Sequence, residues 1–111
     1  MYSYKAEIVR VLDGDTLDLA IDLGFEVTVN TRVRLFGLNT PEVTGNEKYL
    51  GLQATGFVHE WIETHCEDNI CIVETHKKGK YGRYLAVIKD EFGECLNDEL
   101  LDTAHAVPMM Y

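Results

Sequence analysis

Apolar and polar residues alternate along the first third of the chain, and then the period changes. The run YKAEIVRVL from Tyr4 to Leu12 reads as a strand. From Thr16 to Leu23, Leu17, Leu19, Ile21 and Leu23 share one parity while Thr16, Asp18, Ala20 and Asp22 share the other. Successive strand residues point to opposite faces, so a second strand turns one face to a core and the other to solvent. A turn at Asp22 to Glu26 containing Gly24 leads to a third run, in which Val27, Val29, Thr31, Val33 and Leu35 oppose Arg32 and Arg34. The three strands form a meander. Asn39-Thr40-Pro41-Glu42 ends it, and a loop with Thr44, Gly45 and Asn46 follows.

Beyond that loop, Ala54, Phe57, Val58, Trp61 and Ile62 fall at i, i+3, i+4, i+7 and i+8, which predicts an amphipathic helix from about Glu47 to His65. Core packing accounts for this stripe, Trp61 included. A fourth strand, Ile70 to Glu74, and a fifth, Tyr84 to Ile88, flank the basic loop from Lys77 to Arg83. A turn at Asp90 to Glu94 and a short helix from about Asn97 to Ala104 follow, leaving residues 106–111 as a C-terminal tail. The predicted fold is mainly β, of α+β class. It is a single domain over residues 1–111, built as a five-stranded antiparallel OB-type barrel with a helix between strands 3 and 4 and a short C-terminal helix.

Composition narrows the function classes. The chain has 111 residues, 46% hydrophobic and 26% charged, enough for one domain with a real core. No apolar run approaches the ~20 residues needed to cross a bilayer, and the N-terminus MYSYKAEIVRV has neither a basic nor an apolar leader segment, so the expectation is an intracellular protein without a membrane partner. Cys66, Cys71 and Cys95 are odd in number and lack C-x-x-C spacing. His59, His65 and His76 lie nearby, but the spacings match no familiar zinc pattern, so the thiols read as buried or idle. The net charge of −9 excludes a protein that holds polyanions by bulk electrostatics. Any function on phosphates needs local cations or a bound metal.

Four stretches need joint explanation. Asp13-Gly14-Asp15-Thr16 alone reads as a hairpin turn, because Asp-Gly tolerates the positive φ such turns demand. An EF-hand reading of it fails, since Leu17 stands where the loop wants Asp or Asn and no Glu occupies its twelfth position. Arg34, Asn39-Thr40-Pro41-Glu42 and Lys80-Tyr81-Gly82-Arg83 each have an equally plain reading as solvated strand, loop and turn. Taken together, "DGDT", Arg34 five residues before "NTPE", and "KYGR" entering the fifth strand resemble the staphylococcal nuclease (thermonuclease) family, over about residues 6–105.

The resemblance implies an OB-type barrel and a calcium-dependent phosphodiesterase acting on DNA or RNA, single-stranded or locally unpaired. By resemblance the metal ligands are Asp15, Asn39 and the backbone carbonyl of Thr40, all oxygen donors that suit calcium. The family commonly has Asp where Asn39 stands. The neutral amide removes one unit of charge, lowers the expected affinity and leaves another divalent ion open. Glu42 matches the general base that activates water, and Arg34 and Arg83 match the arginines that clamp the phosphate. Asp13 takes a supporting role beside the metal ligand. Tyr81 would bound the nucleotide pocket, and Lys77, Lys78 and Lys80 would supply local positive field. For the family's substrate-side tyrosine after the second helix, Tyr111 is only a loose candidate. The alternative is a non-catalytic OB module that binds single-stranded nucleic acid or a protein partner.

Overall fold

A computed structural model of the chain describes residues 2–78 and 83–109. Five strands, β1 (Ser3–Asp13), β2 (Thr16–Asp22), β3 (Thr28–Leu35), β5 (Ile70–Lys78) and β6 (Tyr84–Lys89), close into a barrel in the order β1-β2-β3-β6-β5. Between them lie the short strand β4 (Leu38–Asn39) and helix α1 (Lys48–His65), and after them helix α2 (Leu96–Asp102) and strand β7 (Val107–Pro108). This is a small, mainly β protein with two helices.

The alternation in the sequence becomes the barrel's inside and outside except around the β2–β3 turn, where Leu23, Val27 and Val29 share the inward parity yet are exposed. Leu17, Leu19, Leu35, Val73 and Ile88 are each at most 1% exposed. Burying a side chain of this kind contributes about 1.5–3 kcal/mol. From α1, Val58, Trp61 and Ile62 join the same cluster, so the helical stripe packs against the barrel as its period requires. On the outer face Asp18 meets Arg32 through two contacts, at 2.8 and 3.3 Å, and that guanidinium holds the Asp18 carboxyl below its usual range.

Two expectations change. The strands are not all antiparallel, because β3 and β6 run parallel, with Val33, Arg34 and Leu35 facing Tyr84, Leu85 and Ala86. The reason is combinatorial: a closed ring with an odd number of strands cannot alternate direction at every seam. One seam must be parallel, and it falls where α1 and β5 intervene between β3 and β6 in sequence.

The stretch read as a tail also carries structure. Val107 pairs with Asn39 and Pro108 with Leu38, while Met109 N–H donates to the Gly37 carbonyl at 2.9 Å. Proline cannot donate to a ladder, but it is tolerated in so short an edge pair.

A buried side chain braces the parallel seam. Asn97, 4% exposed, accepts from Ile88 N–H at 3.1 Å and donates from Nδ2 to the carbonyls of Phe36 and Ala86, at 3.0 and 3.1 Å. Its amide thereby ties α2 to β6 and to the exit of β3. An unpaired buried amide would cost about 1–3 kcal/mol, so the full set of partners is what allows Asn97 in the core.

Candidate active site

The centre of the site is the junction of β1 and β2. Asp13 pairs with Thr16, so the two-residue turn is Gly14-Asp15. Asp13 Oδ1 accepts the Asp15 N–H at 3.1 Å, and this local bond closes the turn. Gly14 does not use a positive φ, contrary to the sequence-based expectation. Its requirement is space: a Cβ there would lie 2.9 Å from Ala54 Cβ and 2.9 Å from Thr40 Cγ2.

Asp15 is 8% exposed, as its shared parity with Leu17 and Leu19 predicts. Its Oδ1 accepts from the Thr16 hydroxyl at 3.1 Å, and its Oδ2 accepts from the Thr40 N–H at 3.1 Å. Arg34 approaches the same oxygen, with its terminal nitrogen 3.6 Å from Oδ2. This follows from the register, because Thr16 pairs with Arg34 across β2 and β3, and Leu35 N–H donates to the Asp15 carbonyl at 2.8 Å. Asp13, Asp15, Arg34 and Thr40 are therefore gathered at one end of the barrel.

The electrostatics of the cluster are uneven. Burial pushes the Asp13 carboxyl up to about 6, helped by the neighbouring Asp15 carboxylate. Two buried polar atoms lack a hydrogen-bond partner among the described residues, Arg34 Nε and Thr40 Oγ1. A guanidinium N–H held out of water without an acceptor is costly, and an anion placed beside it would satisfy it.

The remaining expected residues stand further out. Asn39 is half-buried on β4, fixed by its pairing with Val107, and Thr40 follows it directly. The contact Thr40 makes with Asp15 is through its N–H, whereas the expected metal ligand is its carbonyl. Glu42 is exposed. Arg83 is exposed just before β6, whose first residue Tyr84 pairs with Val33. Lys78 ends β5 opposite Tyr84, its side chain outside the described set, and Lys80, Tyr81 and Tyr111 lie outside the described residues altogether.

Asp15 and Asn39 carry side-chain oxygens and Thr40 a backbone carbonyl, donors of the kind a hard cation takes, but the contact formed between Asp15 and Thr40 runs through the Thr40 N–H. Among the described residues no cluster of three or more His, Cys, Asp or Glu side chains that could hold a metal ion forms. The cysteines take no part. Burial pushes the thiols of Cys66 and Cys71 up to about 11 and about 12, so both stay protonated at neutral pH.

Sequence reasoning missed Gly14 and Gly51 as spacing residues and Asn97 as a brace. An isolated glycine inside the helical pattern at Gly51 was the available signal, since it costs helix stability and so points to a packing reason.

No family model matches the chain. It is 31% identical over 125 aligned positions to an uncharacterized protein of Methanocaldococcus jannaschii, an alignment that takes in 93% of this chain and 58% of that protein. The chain thus spans less than two thirds of the length of the curated relative it matches. Among the described residues no helix is long and apolar enough to cross a membrane.

Proposed function

We propose that this chain is a metal-dependent phosphodiesterase of the staphylococcal nuclease type, cutting DNA or RNA where strands are unpaired, on a barrel of OB type. The observation that carries the reading is Arg34: its guanidinium sits against buried Asp15, and its Nε–H has no acceptor among the described residues. A phosphate oxygen is the ligand class that fits a fixed guanidinium donor of this kind. The closed five-strand barrel with a parallel β3–β6 seam supports the OB-type assignment.

Asp15, the Asn39 amide oxygen and the Thr40 carbonyl would hold the divalent ion, calcium or another, with Asp13 adding negative charge behind Asp15. Such an ion supplies Lewis-acid polarisation of the phosphodiester and offsets charge on its oxygens. Arg34 and Arg83 donate to the same phosphate and stabilise the charge that builds on it as water attacks. Glu42 orients that water and accepts its proton. The chain's net charge of −9 repels nucleic acid at long range, so the strand is held by these local cations together with Lys77, Lys78, Lys80 and the ring of Tyr81.

A second reading, a non-catalytic module binding single strands or a protein, is favoured by one observation: both carboxylate oxygens of Asp15 are already engaged, by the Thr16 hydroxyl, the Thr40 N–H and Arg34. One assay separates the two. Purified protein is incubated with single-stranded DNA and with RNA in calcium, manganese, magnesium or EDTA. The expected result is cleavage that EDTA abolishes and that Glu42→Gln removes almost entirely. Strand binding without turnover under every condition would establish the second reading instead.

A further inference from the structure

Glu42 is exposed, and among the described residues its carboxylate makes no hydrogen bond or ion pair, so the path of its backbone is what sets where its side chain starts. That backbone is pressed against α1. Gly51 is buried in the first turns of the helix, and a Cβ built on it would stand 2.5 Å from the Glu42 carbonyl carbon, 2.8 Å from Val43 N, and closer still to the Glu42 carbonyl oxygen. These are main-chain atoms, which cannot rotate out of the way as a side chain can.

Gly56 lies on the same helix and has nothing within 4 Å of its own Cβ position. The close approach therefore belongs to position 51 and is not a general property of the helix. Glycine inside a helix costs roughly 0.5–1 kcal/mol relative to alanine. At position 51 that cost coincides with the one spot where a methyl would strike the peptide following Glu42. The other side of the same loop is closed in the same way, since a Cβ on Gly14 would meet Thr40 and Ala54, the latter three residues beyond Gly51.

We infer that Gly51 is a positioning residue: by leaving out a side chain, it lets α1 clamp the Glu42–Val43 peptide and so sets where the Glu42 carboxylate stands relative to Asp15 and Arg34. The inference rests on the phosphodiesterase reading of Glu42. Displacing a reacting group by about 1 Å can cost about 10²-fold in rate. Substitution at position 51 should thus act on turnover, while substrate is still held by the arginines and lysines.

The test compares wild type, Gly51→Ala, Gly56→Ala and the double variant. Far-UV circular dichroism and thermal melting follow folding, and steady-state kinetics follow cleavage of single-stranded DNA in calcium. Gly56→Ala should raise the melting temperature and leave kcat unchanged. Gly51→Ala should lower kcat about 10- to 100-fold with KM within about twofold of wild type. The double variant should recover melting temperature without recovering kcat. The inference is overturned if kcat of Gly51→Ala stays within twofold of wild type, if kcat returns with stability in the double variant, or if KM alone changes. It is also overturned if neither variant carrying Gly51→Ala folds, which would assign Gly51 to stability alone. Wild type that cleaves nothing in any metal ion overturns the phosphodiesterase reading itself, an outcome distinct from an active wild type matched by an active Gly51→Ala.

Discussion

Strand β2 ends in similar local chemistry on both sides, and the two ends have opposite fates. At its start Asp13 Oδ1 accepts the N–H of Asp15 at 3.1 Å; at its finish Asp22 Oδ1 accepts the N–H of Gly24 at 2.8 Å. Both are turns closed by an aspartate on the amide two residues ahead. At the start, the turn is enclosed by Thr40 and by Ala54 of α1, and Asp15 is buried against Arg34. At the finish, Gly24, Phe25 and Glu26 take φ of 80°, 52° and 61° in open space, and Phe25 is fully exposed. The turn chemistry makes a bend in either case. What converts one bend into a candidate site is the material packed over it.

The largest test of that contrast is on rate. Arg34→Ala removes the donor beside Asp15 and should cut cleavage on the order of 10²–10³-fold, whereas Asp22→Ala at the other end should leave the rate unchanged. Equal effects from the two variants in a metal-supported cleavage assay would erase the distinction.

Next comes the different need for glycine. Gly24 requires a left-handed backbone, so Gly24→Ala should cost about 1 kcal/mol of stability and lower the melting temperature by roughly 4–8 °C, with catalysis intact. At Gly14 the backbone is ordinary and space is the constraint, so two glycines in equivalent turns are present for different reasons.

A smaller effect reports the electrostatics of the enclosed end. The folded-state pKa of Asp13 is raised to about 6, above the usual carboxylate value, so folding favours its protonated form. Its stability contribution is therefore present at acid pH and is lost as pH rises through about 6. Asp13→Asn keeps the oxygen that accepts from Asp15 N–H and removes the charge. Because the site is only half-buried, solvent screens the gain, and thermal melts at pH 7–8 should show a rise of about 2–4 °C. The rise should shrink toward zero below pH 4. A variant that gains nothing at pH 8 would mean that neither burial nor Asp15 disfavours the charged form of Asp13. The smallest effect belongs to Phe25→Ser at the open tip, which should move stability by less than about 0.5 kcal/mol in urea unfolding.

How far each region could be read from sequence follows the same division. Strand parity placed Leu17, Leu19, Val33 and Leu35 inside and predicted Asp15 on their side, because a period of two leaves no other arrangement once one face is buried. The helical stripe placed Val58, Trp61 and Ile62 in the core for the same kind of reason. An odd number of strands in a closed ring requires a parallel seam, but strand number does not say which pair forms it. By contrast, the pairing of Val107 and Pro108 with Asn39 and Leu38 brings together residues nearly seventy positions apart through a two-residue strand, too short to leave a periodic signal.

The sequence by itself determined the local elements, the Asp-Gly and Asp-x-Gly turns, the inward side of Asp15 and the types of side chain available for chemistry, because these depend on near neighbours along the chain. Only the tertiary structure decided that β3 and β6 meet in parallel, that Asn97 braces their seam, that Arg34 sits on Asp15, and that Gly14 and Gly51 leave room for the Thr40–Val43 loop. Those are relations of distance between segments far apart in sequence. Close packing in three dimensions settles them, since a single added methyl at Gly51 would strike the main chain of Glu42 and Val43.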